Sequence, residues 1–538
     1  MPQHDGRFRF LSRLAAVLVV CTAGWVYEAT SDVWMCALLG VWGVFAFLSV
    51  PTNLQLLGLS IAALLGSRML FPVAFATNVV YPLPYVVIVA SAMSVVPLVC
   101  LWAIAADPSR RRLRMNGLDR YFVCQDYAGM RANSHHFVDT REPFDPAALA
   151  KAVESLLREM PMARSFVREA FLGMERFEAG APWLVPEHLL WWRTAPLEEE
   201  PDALDRRMDL ASYPPWRVIV APRREGGWRL CLTIHHSAVD GAGGMLWLER
   251  LLRRYEDHRE GRAPTPFPAD PPARRFRELF RPRGVAWLLR MIRRHVRPMD
   301  KVGVKNASLL DYEMPRLSGS AHMLVDLPDA EWTRLKARAE ALGVSRNDLL
   351  VAASLRAADA WRRAHEREDR PFRILLPTDL RGILELPPSL QNFVGVVRSD
   401  FAIEEVRGGD LPKRVSEKVK LGRTLEEAIE TPVNLGFLSA VLPPPVFRRA
   451  LRKFDNDAQS FFFSYLFSQV RIPADLPRPP GTERVWVRGS LPRQPGFGIV
   501  VCPDGERITV AFEYLSQYVS EFSVIDFRDR FLAEIALV

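Results

Sequence analysis

Seven consecutive residues, His235-His236-Ser237-Ala238-Val239-Asp240-Gly241, carry the most information about the fold of this chain. They follow an apolar segment, residues 228–234, that has the composition of a β-strand. Since successive strand residues point to opposite faces, only one of the two histidines can face a cavity while the other packs into the wall. An imidazole with an ordinary pKa of about 6.5 can accept a proton at physiological pH. The spacing therefore predicts one general base and one structural histidine, with Asp240 placed to form an ion pair or to cap the next helix.

Other clusters of reactive residues are weaker candidates. A second histidine pair, His135-His136, lies in a predicted strand at residues 133–138 and lacks an aspartate and a glycine at the same spacing. We expect a structural role for it. The cysteines show no paired spacing, so neither a metal site nor a disulfide framework is expected. They are Cys21, Cys36, Cys100, Cys124, Cys231 and Cys502.

The first 106 residues differ from the rest in charge. They hold four arginines and three acidic residues, of the 70 basic and 62 acidic residues in the chain. The charge-free runs 33–67 and 69–106 contain 35 and 38 residues, more than the roughly 20 that one membrane-spanning helix needs. An apolar stretch at 14–27 would alone resemble a signal peptide, but the later runs favour a retained anchor. We expect a multi-span membrane anchor of about four helices in residues 1–106.

Arginines flank the predicted spans on both sides, and this sets the expected orientation. Basic residues near the ends of spans favour the cytoplasm, so both ends should be cytoplasmic. The chain would be an integral protein of a bacterial-type inner membrane, with its body facing the cytoplasm. Because no charged residues form a pattern within the spans, an anchor is favoured over a transporter. The flanking arginines are Arg7, Arg9 and Arg13 before the spans and Arg110, Arg111, Arg112 and Arg114 after them.

Residues 107–538 alternate helical and strand patterns without an internal repeat, which predicts two mixed α/β halves. In the first half we expect a helix at 144–159, opening at Asp145, and a hairpin formed by 215–220 and 228–234. In the second half we expect strands at 322–327, 373–377, 393–401, 460–467, 485–488, 496–501 and 508–515. Helices are expected from Asp329, over 345–365 and from Ser523.

A segment rich in proline and arginine, about 261–318, indicates a crossover between the halves. Within it, residues 285–297 have an apolar face and several arginines on the remaining surface. This helix would either pack on its own domain or contact anionic lipid headgroups. The arginines elsewhere are interspersed with acidic residues, so no nucleic-acid partner is expected.

The residues above resemble the condensation-domain and chloramphenicol acetyltransferase-like acyltransferases. Within that superfamily the chain is most similar to bacterial wax ester synthases and polyketide-associated acyltransferases. The resemblance covers nearly all of 115–538. Besides 235–241, it rests on Leu118-Asp119, Asp145, Leu149, the stretch 161–166, the stretch 343–350, Pro377-Thr378-Asp379-Leu380-Arg381 and Asn392-Phe393-Val394-Gly395. The stretch 161–166 resembles the arginine-containing strand of the superfamily, with Arg164 as its arginine.

The resemblance implies a pseudo-dimer of two subdomains, 107–317 and 318–538, with a central tunnel between them. His236 would be the general base, with His235 and Gly241 supporting the site. Asp240 would form a structural ion pair with an arginine, for which Arg164 and Arg381 are candidates. Attack on the donor thioester is direct in this superfamily, so no serine or cysteine nucleophile is required.

One departure concerns the donor side. The stretch Pro495-Gly496-Phe497-Gly498 lacks the aspartate and tryptophan that some branches carry there, which argues against the plant branch. A hydrogen-bond donor to the tetrahedral oxyanion would contribute a few kcal/mol. Asn392 and Ser464 are candidates for such oxyanion or substrate contacts, and neither is favoured alone.

The expected function is acyl transfer from a thioester donor, acyl-CoA or an acyl carrier protein, to a hydroxyl or amine of a lipid or amphiphilic acceptor. No bound cofactor is expected, and an acyl or peptidyl carrier protein could supply the donor in trans. The alternative is a non-catalytic membrane protein whose condensation-like body binds an acyl chain, a carrier protein or a partner. The intact histidine motif favours the enzyme.

Overall fold

A computed structural model describes most of the chain after residue 111, all within one compact unit, Ala105–Val538. The predicted anchor, residues 1–106, lies outside the described residues. None of the helices in the described part is long and apolar enough to cross a bilayer. Apart from isolated positions, the described residues are 112–113, 115–127, 131–170, 173–178, 186–199, 206–268, 320–430, 444–456, 464–489 and 496–537.

The architecture is mixed α/β, as predicted. The strands are β1 (Arg112–Leu113), β2 (Asn133–Thr140), β3 (Ser165–Ala170), β4 (Gly173–Glu178), β5 (Leu190–Trp192), β6 (Trp216–Pro222), β7 (Trp228–His235), β8 (Ser320–Leu327), β9 (Phe372–Asp379), β10 (Val394–Phe401), β11 (Tyr465–Gln469), β12 (Thr482–Arg488), β13 (Phe497–Asp504) and β14 (Arg507–Leu515). The helices are α1 (Gly117–Tyr127), α2 (Pro146–Glu159), α3 (Gly241–Arg259), α4 (Asp329–Leu342), α5 (Arg346–Ala364), α6 (Leu380–Ile383), α7 (Ile403–Arg407), α8 (Leu411–Gly422), α9 (Leu425–Ala428), α10 (Pro444–Asn456) and α11 (Glu521–Leu537).

The first half is built on a five-stranded sheet with the order β12-β2-β7-β6-β5. Its centre is the predicted antiparallel hairpin of β6 and β7. The turn between them contains Gly227 at φ 80°, a backbone conformation that favours glycine. A Cβ at Gly227 would also lie 2.3 Å from the carbonyl oxygen of Thr140 on β2. Glycine therefore allows the turn to lie against the end of the neighbouring strand.

Helices α2 and α3 pack against each other beside this sheet. The predicted cap of α2 is confirmed, because the Asp145 side chain accepts hydrogen bonds from Ala147 N (2.8 Å) and Ala148 N (3.1 Å). Leu149, Ala152 and Leu156 are fully buried, as helical spacing predicts. The apolar face of α2 thus contributes to the core of the first half.

A small three-stranded sheet, ordered β1-β4-β3, accompanies α1. Strands β3 and β4 form an antiparallel hairpin, and β1 pairs with β4. A separate apolar cluster joins Val123 of α1, Val167 of β3, Met174 of β4 and Phe447 of α10. The chain between the predicted anchor and the first large sheet is therefore fixed to the body.

The second half is built on a six-stranded sheet with the order β10-β9-β11-β13-β14-β8. Strand β11 runs parallel to β9 and β13, and the other pairs are antiparallel. Helix α5 begins with a capping box, in which Ser345 Oγ accepts from Asp348 N (3.1 Å) and Asp348 Oδ2 accepts from Ser345 N (2.8 Å). The alanine- and leucine-rich face of α5 is buried in the main core of this half.

Strand β12 departs from the predicted division of the chain. It was expected to belong to the second half, but it pairs antiparallel with β2 of the first, with Val487 opposite His136 and Trp486 opposite Phe137. Trp486 stacks on Phe137, with ring centroids 3.8 Å apart. The first sheet is thus completed by a strand from the second half of the sequence, a pairing for which the sequence carries no local signal.

Two further differences concern element limits. The stretch 161–166 was expected to be a strand carrying Arg164, but residues Pro161–Arg164 form a 3₁₀ turn and β3 begins at Ser165. Strand β11 begins at Tyr465 rather than near residue 460. Most of the predicted crossover and its basic helix lie outside the described residues. Of that helix, only Trp287 is described, and it is buried.

Candidate active site

His236 lies directly beyond the end of β7, where the chain leaves the sheet in a tight turn. Its backbone N donates to Ala132 O (2.6 Å), and its carbonyl accepts from Asn392 Nδ2 (2.8 Å). Ala132 precedes β2 in the first half, while Asn392 precedes β10 in the second. The backbone of His236 is therefore fixed from both halves of the chain.

The imidazole of His236 is half-buried and stacks on Phe122 of α1. The ring centroids are 3.9 Å apart, and the ring planes differ by 10°. Burial lowers the pKa of His236 below its ordinary value, opposed by the nearby charge of Asp240 and by the backbone at His236 and Val239. The ring is consequently neutral at physiological pH, the protonation state that a general base requires.

His235, in contrast, is fully buried and bound to the turn that follows it. Its Nδ1 accepts a hydrogen bond from Ser237 N (3.1 Å) and lies 2.9 Å from Ser237 Oγ. Since Nδ1 acts as an acceptor, the proton of the neutral ring belongs on Nε2. Burial, followed by the charge of Arg176, holds the pKa of His235 well below its ordinary value. The two adjacent histidines thus occupy different environments.

Asp240 connects the motif to the second half. Its Oδ1 accepts from Gly243 N (2.8 Å) and caps the N-terminus of α3. Its Oδ2 accepts from Arg381 Nη1 (2.8 Å) and from Phe393 N (2.6 Å). Asp240 is 3% exposed and Arg381 is 6% exposed, so this is a buried ion pair. Gly241 is the first residue of α3, and the pair joins the start of that helix to α6.

Arg164, the other candidate partner of Asp240, is located elsewhere. It pairs with Glu178 and donates to the carbonyl groups of Leu157 (2.7 Å) and Arg158 (2.6 Å). Because Arg164 lies in the turn directly after α2, its guanidinium reaches the last carbonyl groups of that helix. The expectation that it might pair with Asp240 was wrong.

The described body is similar to solved structures of one kind. An epimerization domain from the third module of tyrocidine synthetase B has a TM-score of 0.57 at 15% identity, covering 79% of this chain and 95% of that one. The first condensation domain of the CDA synthetase has 0.55 at 17%, covering 79% and 95%. Polyketide synthase associated protein 5 from Mycobacterium tuberculosis has 0.53 at 17%, covering 79% and 97%. No protein-family model matches the sequence, and no curated protein matches it.

This is the condensation-domain fold. The comparisons show that the described body shares the fold of these domains, and identities of 15–17% show the fold alone. Within this fold His236, Asp240 and Arg381 converge where the two halves of the chain meet.

The two candidates for oxyanion contacts are both 1% exposed. Asn392 Nδ2 donates a hydrogen bond to the carbonyl group of His236, so Asn392 holds the candidate base in place. Ser464 is bound locally, since its Oγ accepts from Arg373 N (3.1 Å) and its N donates to Arg373 O (2.7 Å). Through these contacts both side chains hold neighbouring backbone in position. An oxyanion role for either residue stays a prediction.

The second histidine pair is fully buried within β2. His136 is 0% exposed, and its Nε2 lies 3.1 Å from Ser134 Oγ. A Cβ at Gly244 of α3 would lie 2.2 Å from that same Nε2, so glycine is needed for the helix to approach the ring. Burial, with a smaller effect of His236, lowers the pKa of His136 to about 3. His135 is 2% exposed, and its Nδ1 lies 3.1 Å from Thr233 Oγ1.

The sequence did not single out three residues that surround the motif. Phe122 covers one face of His236, Arg176 of β4 contacts Ser237, and Asp119 of α1 interacts electrostatically with Arg176. Leu118-Asp119 was noted as part of the resemblance but without a role. An aromatic residue on an amphipathic helix and an arginine in a short strand carry no local signal of such contacts.

A cavity of about 320 Å³ lies beside the ion pair in the second half. Asp379, which accepts from Arg381 Nη1 at 2.9 Å, lines this cavity. Leu376, Val397 and Phe467 give the cavity an apolar part, and further polar groups accompany them. Space for a group of mixed polarity therefore exists next to the residue that binds Asp240.

Proposed function

We propose that this protein is a membrane-anchored acyltransferase. It would transfer an acyl group from a thioester donor, acyl-CoA or an acyl carrier protein, to a hydroxyl or amine of a lipid or amphiphilic acceptor. The observation that carries the proposal is the state of His236, a half-buried, neutral imidazole whose backbone is bound on both sides and whose ring is stacked on Phe122.

In this proposal His236 acts as a general base. Its buried Nδ1 retains the ring proton, and Nε2 takes the proton of the acceptor hydroxyl or amine. The acceptor oxygen or nitrogen attacks the thioester carbonyl directly, forming a tetrahedral oxyanion. Collapse of this intermediate breaks the carbon–sulfur bond, and the imidazolium returns the proton to the departing thiolate. The product is an ester or an amide, and the released thiol is CoA or the pantetheine of a carrier protein.

The motif geometry supports a role for the ion pair in orientation. Asp240 Oδ2 contacts Arg381 and Phe393 N, which keeps the start of α3 next to the loop that contains Asn392. Asn392 in turn binds the carbonyl group of His236. Preorganised geometry of this kind lowers the cost of placing a base against its substrate.

The lipid acceptor and the membrane location follow from the sequence of residues 1–106. An enzyme fixed at the cytoplasmic surface of a membrane meets acceptors that are concentrated there, whereas a soluble acceptor gives no reason for several apolar spans. The names of the similar structures include a polyketide synthase associated protein and domains of peptide synthetases. A carrier protein that delivers the acyl group in trans is therefore included among the proposed donors.

A second function is a body that binds an acyl chain, a carrier protein or a partner without catalysis. The cavity next to Asp379 is compatible with such binding. The enzyme is preferred because a binding protein has no need of a neutral imidazole held at a strand end.

The direct test measures thiol release from octanoyl-CoA and palmitoyl-CoA by membranes that contain the full chain, with lipid extract as the acceptor source. We expect wild type to release CoA and form an acylated lipid, and His236→Ala to lose a factor of about 10²–10⁴ in rate. A matched control is His258→Ala, since His258 lies near the far end of α3 and contacts Ser155.

Equal rates for wild type and His236→Ala would contradict the base assignment. If neither acyl-CoA is used, the same comparison is repeated with an acyl group on a carrier protein. Absence of transfer from both donors would favour the binding function.

A further inference from the structure

Arg176 of β4 is a buried arginine that contacts the histidine motif. It is 1% exposed, and its Nη2 donates to the carbonyl group of Ser237 (2.7 Å) and to Ser237 Oγ (3.0 Å). Its Nη1 lies 2.9 Å from Met162 Sδ and 3.4 Å from Ser165 Oγ. A full charge removed from water is costly unless specific partners compensate it, so such a site requires explanation.

We propose that Arg176 is a positioning residue for His236, which it holds in place by fixing the turn at Ser237. This inference rests on the proposed function, because it concerns the geometry of the same base. Ser237 directly follows His236, so movement of the Ser237 backbone is transmitted to His236 through the peptide that links the two residues. The Nη2 group of Arg176 donates to both the carbonyl and the hydroxyl of Ser237, and this fixes the position of the turn in more than one direction.

The Ser237 hydroxyl extends this contact to the first histidine. Since Oγ accepts from Arg176, its own proton is available to Nδ1 of His235 at 2.9 Å. The backbone N of Ser237 donates to the same Nδ1. Arg176 thereby also favours one tautomer of His235, and the residues on both sides of His236 are held in place.

The charge of Arg176 interacts with the carboxyl group of Asp119 on α1. Asp119 is 7% exposed, and its Oδ2 accepts from Asn116 N (2.8 Å), while Asn116 Oδ1 accepts from Asp119 N (2.9 Å). Burial raises the pKa of Asp119 to about 7, and Arg176 has the largest opposing effect, followed by the Asn116 backbone, with Asp240 a smaller raising one. Burial lowers the pKa of Arg176 to about 10. The guanidinium remains charged at neutral pH.

Helix α1 carries both this carboxyl group and the ring that covers His236. Phe122 follows Asp119 by three residues, so the two lie on neighbouring positions of one helix face. Asn116 Nδ2 also donates to the carbonyl group of Asn392 (3.1 Å), the residue that binds His236 O. The arginine, the helix and the Asn392 loop therefore constrain His236 from three directions.

The test compares Arg176→Met and Arg176→Lys with Arg254→Met in the full chain. Arg254 of α3 is a matched control, because it is fully buried and its ion-pair partners are Glu159 and Asp257 rather than residues of the motif. Ser237→Ala is a second variant, which removes one acceptor of Arg176 while leaving the carbonyl group. Initial rates with octanoyl-CoA and palmitoyl-CoA give kcat and KM, normalised to the folded fraction.

We expect Arg176→Met to lower kcat by roughly 10–100-fold with little change in KM, because misplacement of a base slows the chemical step more than binding. Arg176→Lys should recover part of the loss, and Ser237→Ala should show a smaller one. Arg254→Met should retain the wild-type kcat per folded molecule even where its unfolding temperature falls.

A second readout does not depend on activity. Exchange of the imidazole C2 hydrogen with deuterium, followed by mass spectrometry over a pH series, reports the accessibility and pKa of each histidine. In Arg176→Met we expect faster exchange at His236 and a pKa closer to 6.5, with no change in Arg254→Met. Unchanged exchange at His236 in Arg176→Met would overturn the inference. Faster exchange at His236 combined with full activity in His236→Ala would instead contradict the proposed function alone.

Discussion

The chain contains two pairs of consecutive histidines on neighbouring antiparallel strands, and the two pairs differ in burial. His135-His136 lies within β2, with both rings closed off by packing. His235-His236 lies at the end of β7, where the second ring emerges half-buried. The residue types are the same, so the position relative to the strand end determines which ring can meet a substrate. The Asp-Gly that follows only the second pair supplies the turn and the cap that place it there.

The largest expected difference between the pairs is catalytic. His236→Gln should lower the rate of acyl transfer by about 10²–10⁴ because it removes the base. His136→Gln should retain the wild-type kcat per folded molecule, since His136 is 0% exposed and faces α3. Steady-state kinetics of both variants at matched folded fraction would test this. Comparable losses of kcat in the two variants would show that the pairs act together.

The second difference is the buried ion pair between Asp240 and Arg381, which joins the His235-His236 motif to the other half. Arg381→Met should destabilise the fold by about 3–5 kcal/mol, because it leaves Asp240 buried without its partner. The double variant with Asp240→Asn should recover part of that loss. Urea unfolding of the single and double variants gives the coupling directly. A cost near zero for Arg381→Met would mean that the backbone N groups of Gly243 and Phe393 satisfy Asp240 without the arginine.

The third difference is the close approach of α3 to the buried pair. Gly244→Ala should cost about 1–3 kcal/mol, since the added Cβ would lie 2.2 Å from Nε2 of the fully buried His136. Gly382→Ala is the control, because a Cβ there would meet nothing within 4 Å. Thermal or urea unfolding of both variants would check this. If Gly244→Ala and Gly382→Ala unfold alike, His136 does not limit the packing of α3.

The fourth prediction concerns acid and applies to the buried pair. The pKa of His136 is lowered to about 3 in the folded chain, so below about pH 6.5 the unfolded state binds more protons than the folded state at this residue. Stability should therefore fall as the pH drops from 6.5 towards 3, by up to about 1.4 kcal/mol per pH unit from this group. His136→Gln should flatten that slope. Because its pKa is raised to about 7, Asp119 changes the stability with pH in the opposite direction. Wild type and His136→Gln both retain Asp119, so its contribution is the same in the two proteins.

Local features of the sequence predicted much of the fold. The cap at Asp145, the capping box at Ser345 and the hairpin ending in the histidine motif each depend on residues a few positions apart. Such patterns reflect hydrogen bonds and periodic burial within one element. Strand geometry also predicted that only one of the two adjacent histidines would face a cavity, and the resemblance assigned that role to His236.

Contacts between distant segments could not be predicted in this way. The choice of Arg381 over Arg164 depends on how two halves meet, since both arginines are suitable ion-pair partners by residue type. The contact of Arg176 with Ser237 joins residues 61 positions apart, and the stacking of Phe122 on His236 joins two separate elements. No periodicity or spacing in a single sequence encodes such pairs.

The pairing of β12 with β2 has a consequence for the order of events during synthesis. Residues 133–140 are translated about 345 positions before their partner strand, which at roughly 5–20 residues per second is a delay of about 20–70 seconds. During this interval β2 is paired with β7 on one side and presents an unpaired edge on the other. The nascent chain therefore carries an aggregation-prone edge until most of the protein has left the ribosome, and it should depend on chaperones during that time.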